Sequence, residues 1–147
     1  MSVKVQVSAV INRPVADVFR IHAREHVRNH PRWDPFMQLE QLTEGPFGVG
    51  TIIKRINSRS GAPVEGTMEV VEYEPDRAFG MIIQDGPLKM VSRAVYKAIG
   101  DDRTHITYHL EIPDMDESMT ETFASLMEMA IQTHKRFIES EVQEQGT

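Results

Sequence analysis

A chain of 147 residues with 40% hydrophobic and 26% charged positions is expected to fold as one domain, 1–147, around a core of its own. Its net charge of -6 argues against nucleic acid or an anionic membrane as the main partner, and the absence of cysteine excludes disulfide and thiolate chemistry. The N-terminus has no basic-then-apolar leader and no apolar run reaches membrane-spanning length, so no membrane insertion and a cytoplasmic location are expected.

Val3, Val5, Val7, Ala9 and Ile11 alternate with Lys4, Gln6, Ser8 and Asn12, the period-2 pattern of a strand with one buried face. Pro14 then suits the first turn of a helix. Val15, Val18, Phe19, Ile21 and His22 predict a short helix to about Glu25. A second short helix or irregular turn is expected to break near Val27 and to close at His30-Pro31, because proline restricts the residue before it.

Six further strands follow at 36–42, 51–57, 64–73, 79–84, 89–99 and 105–112, separated by turns rich in Gly, Pro and Asp. An unbroken run of strands implies an antiparallel meander. Residues 118–143 then read as one amphipathic helix, entered through a capping box of Ser118 and Glu121. Such a helix is on the order of 37 Å long, enough to cross a small domain. Met119, Phe123, Leu126, Met127, Ala130, Ile131, Phe137 and Ile138 share one arc. Glu121, Ser125, Glu128, Gln132, Arg136, Glu139 and Gln143 lie mainly on the other side. His134 interrupts the apolar arc. A sheet of about seven strands curves as it twists, and only this helix is long enough to cover its concave face. The gap between them is the expected ligand site.

The layout, with several local phrases, resembles the helix-grip superfamily of START domains, birch-pollen-type allergens and polyketide cyclase/dehydrase-like proteins (SRPBCC). The matching stretches are the opening strand running into Arg13-Pro14-Val15-Ala16-Asp17-Val18-Phe19, then Pro31-Arg32-Trp33-Asp34-Pro35, then Gly45-Pro46-Phe47-Gly48-Val49-Gly50-Thr51. The turn around Glu74-Pro75-Asp76-Arg77 and the strand Arg103-Thr104-His105-Ile106-Thr107-Tyr108 complete them. The resemblance implies an α+β helix-grip fold: a curved antiparallel sheet wrapped around the C-terminal helix, with two short helices after the first strand. It also implies a hydrophobic cavity for an aromatic, polyketide-like or lipid ligand. The superfamily includes cyclases, dehydratases and non-enzymatic binders, so the fold alone does not decide the reaction.

Residue by residue, the chemistry is sparse. Gly45 to Gly50 lacks the Gly-Lys-Ser/Thr ending of a phosphate loop and runs strand to strand, so a turn is expected there. His22, His26 and His30 are spaced for a shared helix face with Glu25 nearby, the donor types zinc favours. The Pro31 break argues against their alignment, and a solvated polar face is expected instead. His105 and His109 share a strand face on the order of 13 Å apart, too far to ligate one metal, and are expected outside. No metal site and no cofactor fingerprint is therefore read.

His134 is the candidate catalytic residue. Inside an apolar cavity it could serve as a neutral general base, or simply satisfy a hydrogen bond from a strand or tyrosine. Tyr96 and Tyr108, on inward positions of adjacent strands, could be its partners or could orient a substrate carbonyl. Trp33, Met68, Phe79, Met81, Met90, Phe123, Met127 and Ile131 form the expected lining. The expected partner is thus a small hydrophobic molecule, acted on by cofactor-free cyclisation or dehydration or merely carried. An interaction protein with a self-filled cavity is the third reading, and a homodimer is compatible with all three.

Overall fold

The alternation at the N-terminus produces β1 (Val3–Ile11), whose Val3, Val5, Val7 and Ile11 are buried. The computed structural model describes residues 1–145, and side chains through residue 141. After β1 come α1 (Val15–Phe19), a π-helical turn at Arg20–Arg24 and α2 (His26–Trp33). The strands β2 (Met37–Gln41), β3 (Ile52–Asn57), β4 (Val64–Glu74), β5 (Ala78–Asp85), β6 (Leu88–Ile99) and β7 (Arg103–Ile112) follow. A 3-10 turn at Glu117–Met119 leads into α3 (Thr120–Gln145). The side chain of Gln143, expected on the polar side of α3, lies outside the described residues.

The seven strands form one antiparallel sheet in the order β1-β7-β6-β5-β4-β3-β2. A register shift between Val70 and Glu72 on β4 marks a bulge, which bends a strand and raises its local twist. The resulting concave face carries Met68, Val70, Phe79, Met81, Ile83, Ala94, Tyr96, Ile106, Tyr108 and Leu110, and the core lies between this face and the helices. The outward His105 and His109 are half-buried among neighbours on the convex face rather than fully exposed.

The long helix is held unevenly. Ile131 and Ile138 are completely buried, each contributing on the order of 1.5–3 kcal/mol of burial. Around them the C-terminal half is tied to the start of the chain. Arg13 Nη2 donates to the Glu139 carbonyl at 2.6 Å, Asn12 N–H to Glu139 Oε2 at 2.8 Å and Lys135 Nζ to the Val10 carbonyl at 2.6 Å. In the N-terminal half, Leu126 and Met129 are 48% and 67% exposed, and Met119 in the 3-10 turn before it is 38% exposed. The entry also differs from the expected capping box: Asp116 Oδ1 accepts the Ser118 N–H at 2.8 Å and opens a 3-10 turn before α3.

Two local surprises place polar groups inside. The helical segment breaks at Glu25 rather than near Val27, and α2 continues through Pro31 to Trp33. Asn29 secures the junction: it is buried, and its Nδ2 donates to the Ile21 carbonyl at 2.9 Å. On β3 the inward positions are Ile53 and Arg55, and Arg55 makes a two-pronged ion pair with Asp85 at 2.8 and 2.9 Å. Gly66, opposite Arg55, makes room for it. A Cβ there would stand 2.1 Å from the Gln84 carbonyl oxygen and 2.5 Å from Asp85 Oδ1.

Candidate functional site

Between the sheet and the helices lies a cavity of about 120 Å³. The helical segment contributes His22, His26, His30 and Trp33, and α3 contributes Met127, Ala130 and His134. The sheet adds Met68, Phe79, Met81, Ile83, Ser92, Ala94 and Tyr108. The glycine-rich connection before β3 is a turn, as its strand-to-strand context requires. Its Phe47 ring packs against Tyr73 and Phe79 at 5.8 and 6.0 Å, buttressing one side of the cavity. A wider trough of about 560 Å³ on the outer face, lined by residues such as Lys4, Gln6, Arg93 and Glu111, is open to solvent and carries no comparable cluster.

The three histidines of the helical segment are inside, correcting the expected solvated face. The cause is the π turn: the Glu25 N–H reaches back five residues to the Arg20 carbonyl at 2.8 Å. Such one-turn widenings alter which side chains face inward. Ile21, His22 and Ala23 are thereby buried, and α2 restarts with His26 directed to the same interior. Ring centroids are 5.9 Å apart for His22 and His26 and 4.8 Å for His26 and His30. The nitrogens bond one another and the backbone instead of converging, and among the described residues no three His, Cys, Asp or Glu side chains form a metal-holding group.

Two hydrogen-bond chains run through these rings, and their polarity can be assigned from the network. The first starts at a backbone carbonyl, which only accepts. His26 therefore donates from Nδ1 to the His22 carbonyl at 2.8 Å. Burial above all lowers the pKa of His26 to about 4, so it is neutral and its Nε2 holds a lone pair. That lone pair accepts Nδ1–H of His30 at 2.9 Å. Burial, then the charges of His26 and Arg55, also hold His30 well below the ordinary histidine value, so its Nε2 is an unprotonated acceptor.

The second chain links Tyr96 OH to His22 Nδ1 at 2.5 Å, His22 Nε2 to Tyr108 OH at 3.1 Å, and Tyr108 OH to His134 Nδ1 at 2.6 Å. Tyr96 is buried, and His22 is its hydroxyl's one partner among the described residues. Leaving that O–H unpaired would cost about 1–3 kcal/mol, whereas an unused oxygen lone pair is tolerated more readily. The Tyr96 hydroxyl thus donates to His22, His22 donates from Nε2 to Tyr108, and Tyr108 donates to His134 Nδ1. His134 then carries its own proton on Nε2. Burial, then the charge of His26, lowers its pKa to about 3, and burial raises both tyrosines, so every member is neutral near pH 7.

The chains therefore end on two cavity rings of opposite sense: His30 with a bare Nε2 and His134 with an Nε2–H. Among the described residues neither atom has a protein partner, and neither is sealed away as a buried orphan. Trp33 lies between them, its ring centroid 5.4 Å from His30 and 4.5 Å from His134.

Of the residues singled out from the sequence, His134, Tyr108, Trp33, Met68, Phe79, Met81 and Met127 line the cavity. Tyr96 stands one position behind, bonded to His22. Met90, Phe123 and Ile131 pack on the core instead. Sequence reasoning missed His22, His26 and His30 as lining, although their four-residue spacing was the available signal.

Residues 2–139 match the family model described as polyketide cyclase/dehydrase and lipid transport. No curated protein matches the chain at the sequence level. Among solved structures, Ara h 8.0201 superposes with TM-score 0.77 at 12% identity, covering 95% of this chain and 99% of its own. The Zhui aromatase/cyclase from Streptomyces sp. R1128 gives TM-score 0.76 at 13% identity, covering 100% and 97%. Norcoclaurine synthase from Thalictrum flavum, in complex with dopamine and hydroxybenzaldehyde, gives 0.68 at 14%, covering 98% and 88%. At these identities the likeness carries the fold alone, but the family match spans nearly the whole chain. The chain belongs to the polyketide cyclase/dehydrase and lipid transport family and has its helix-grip fold.

Proposed function

We propose that this protein binds a small hydrophobic molecule between the sheet and α3 and catalyses cofactor-free cyclisation or dehydration on it. The observation that carries the reading is the Tyr108 hydroxyl bonded to His134 Nδ1 at 2.6 Å in the wall of a largely apolar cavity. That bond presents the opposite ring nitrogen of His134 to a ligand. A neutral imidazole N–H directed at a carbonyl oxygen steadies the charge that develops as the adjacent carbon gives its proton to the bare His30 Nε2, which returns it to the β-hydroxyl departing as water.

The division of labour then differs from the one expected. His134 meets the carbonyl, and Tyr108 and Tyr96 hold histidines, since the proton of each hydroxyl is already engaged. The size of the cavity narrows the ligand. About 120 Å³ is close to a cavity known to hold benzene, and well below the roughly 300–1,000 Å³ of drug-sized sites. A single ring fits; a polycycle or a long acyl chain requires the wall to move. Two of the fold's neighbours, an aromatase/cyclase and a synthase complexed with hydroxybenzaldehyde, support ring-sized chemistry.

The test is dehydration of 3-hydroxycyclohexanone to cyclohexenone, followed by ultraviolet absorbance. Wild type is expected to accelerate it, and His134→Ala to lose on the order of 100-fold of that rate, the lower range for a positioned acid or base. A second reading, a non-catalytic carrier, is favoured by the burial that holds His30 well below the ordinary histidine value and makes its bare nitrogen a feeble proton acceptor. Binding of the ketone without turnover in either form would establish the carrier. No binding by native mass spectrometry or melting shift would sink both readings.

A further inference from the structure

We propose that the cavity selects a ring-sized ligand bearing both a carbonyl and a hydroxyl, with His134 donating to the first and His30 accepting from the second. The inference rests on the reading of this cavity as a ligand site, and adds the polarity of its two ends. That polarity is not a free choice of the rings. The His30 end is dictated by a backbone carbonyl two bonds away, through His26. The His134 end is dictated by the buried Tyr96 hydroxyl, through His22 and Tyr108.

A ligand with a carbonyl alone leaves the bare His30 Nε2 facing the cavity without a donor. A ligand with a hydroxyl alone, donating to His30, leaves the His134 N–H without a carbonyl of its own. Both rings pack against Trp33, with centroids 5.4 and 4.5 Å from it, so the two poles share one stretch of the cavity wall. Apart from Ser92, the Trp33 indole N–H and the already bonded His22, His26 and Tyr108, the lining is apolar or small, so His30 supplies the open ring acceptor and His134 an open ring donor. The carbonyl and hydroxyl also define what His30 could do chemically. Its lone pair can take the proton of the hydroxyl, or that of a carbon beside the carbonyl when the ring presents one.

Four neutral probes separate the terms: 3-hydroxyacetophenone, acetophenone, phenol and toluene, titrated at pH 7 and followed by chemical-shift changes at the Trp33 indole N–H. The hydroxy ketone is expected to bind about tenfold tighter than acetophenone or phenol, one hydrogen bond's worth in each case. His30→Ala should bring 3-hydroxyacetophenone down to acetophenone, and His134→Ala should bring it down to phenol. Toluene binding that persists in a variant, whatever its strength, certifies that the variant keeps its cavity.

A measurement on the wild type alone guards against variants that fail to fold. Ring nitrogen-15 shifts should show His30 protonated at Nδ1 and His134 at Nε2. The reverse tautomer at either ring overturns the proposal, as does equal affinity for the hydroxy ketone and acetophenone while toluene binds. If toluene and the other three all fail to bind, the ligand-site reading falls with it.

Discussion

Two polar clusters are buried on the same concave face, and they are built on opposite plans. The ion pair of Arg55 and Asp85 is charged, two-pronged and closed: each partner turns its charge towards the other, with side chains 7% and 8% exposed. The histidine–tyrosine wall is neutral, strung out over six side chains, and open at both ends. A closed pair can hold strands together but has little left for a ligand. An open chain ends in unmet hydrogen-bonding groups, and these end at the cavity. The contrast separates architecture from recognition more sharply than burial does, since both clusters are buried.

Acid should break the wall first. The ordinary histidine value is 6.5, and folding lowers His26 to about 4 and His134 to about 3. Between those limits the unfolded chain binds more protons, so stability is present above about pH 6.5 and drains away as pH falls towards the folded values. By pH 5 each of these two residues removes about 2 kcal/mol, and His22 and His30 are displaced in the same direction. Urea unfolding at pH 7 and pH 5 measures the total, expected to exceed about 4 kcal/mol. Replacing His134 by Phe should flatten the dependence by one group's share. An unchanged slope in that variant would show that His134 is not buried neutral.

The ion pair should respond to truncation. Arg55→Ala leaves Asp85 buried and unpaired, which costs about 3–5 kcal/mol. Converting the pair together, Arg55→Met with Asp85→Leu, should recover most of that loss, because a closed buried pair contributes little beyond what apolar packing supplies. Chemical denaturation of the single and double variants decides it. Equal damage in both would mean that the charges serve something other than each other, such as the nearby His26 and His30, whose pKa values Arg55 helps to lower.

Much of this architecture was legible, and the failures have physical causes. The alternation of β1 and the unbroken run of strands led to the sheet, and the arc of α3 led to its partner, because one buried face imposes its period directly. His134 with Tyr108 was readable for the same reason: a polar residue in an apolar stripe needs a hydrogen-bond partner. The other histidines were assigned outside because Pro31 reads as a helix end. A single missing N–H is tolerated when side-chain bonds such as that of Asn29 hold the segment. The π turn has no composition of its own and is invisible to a search for 3.6-residue periods. Arg55 was overlooked because Ile52 and Ile56 advertise an apolar face that in fact turns outward, while the arginine turns in beside Ile53.

The smallest expected effect tests the two halves of α3, where the apolar stripe promised uniform packing and the structure shows otherwise. Leu126 and Met129 stand on the N-terminal half with 48% and 67% of their surface exposed. Ile131, barely more than a turn from Leu126, is fully buried. Exposed side chains have already retained most of their contact with water, so replacing them removes little transfer free energy. Leu126→Gln and Met129→Gln should therefore each change stability by no more than about 0.5 kcal/mol, against about 2–5 kcal/mol for Ile131→Ala. Denaturant titration of the three variants gives the comparison directly. A loss above about 1.5 kcal/mol for Leu126→Gln would place that residue among the tightly packed ones. Near-neutral values would instead leave the grip on α3 to its C-terminal half, around Ile131, Ile138 and the Arg13–Glu139 clasp.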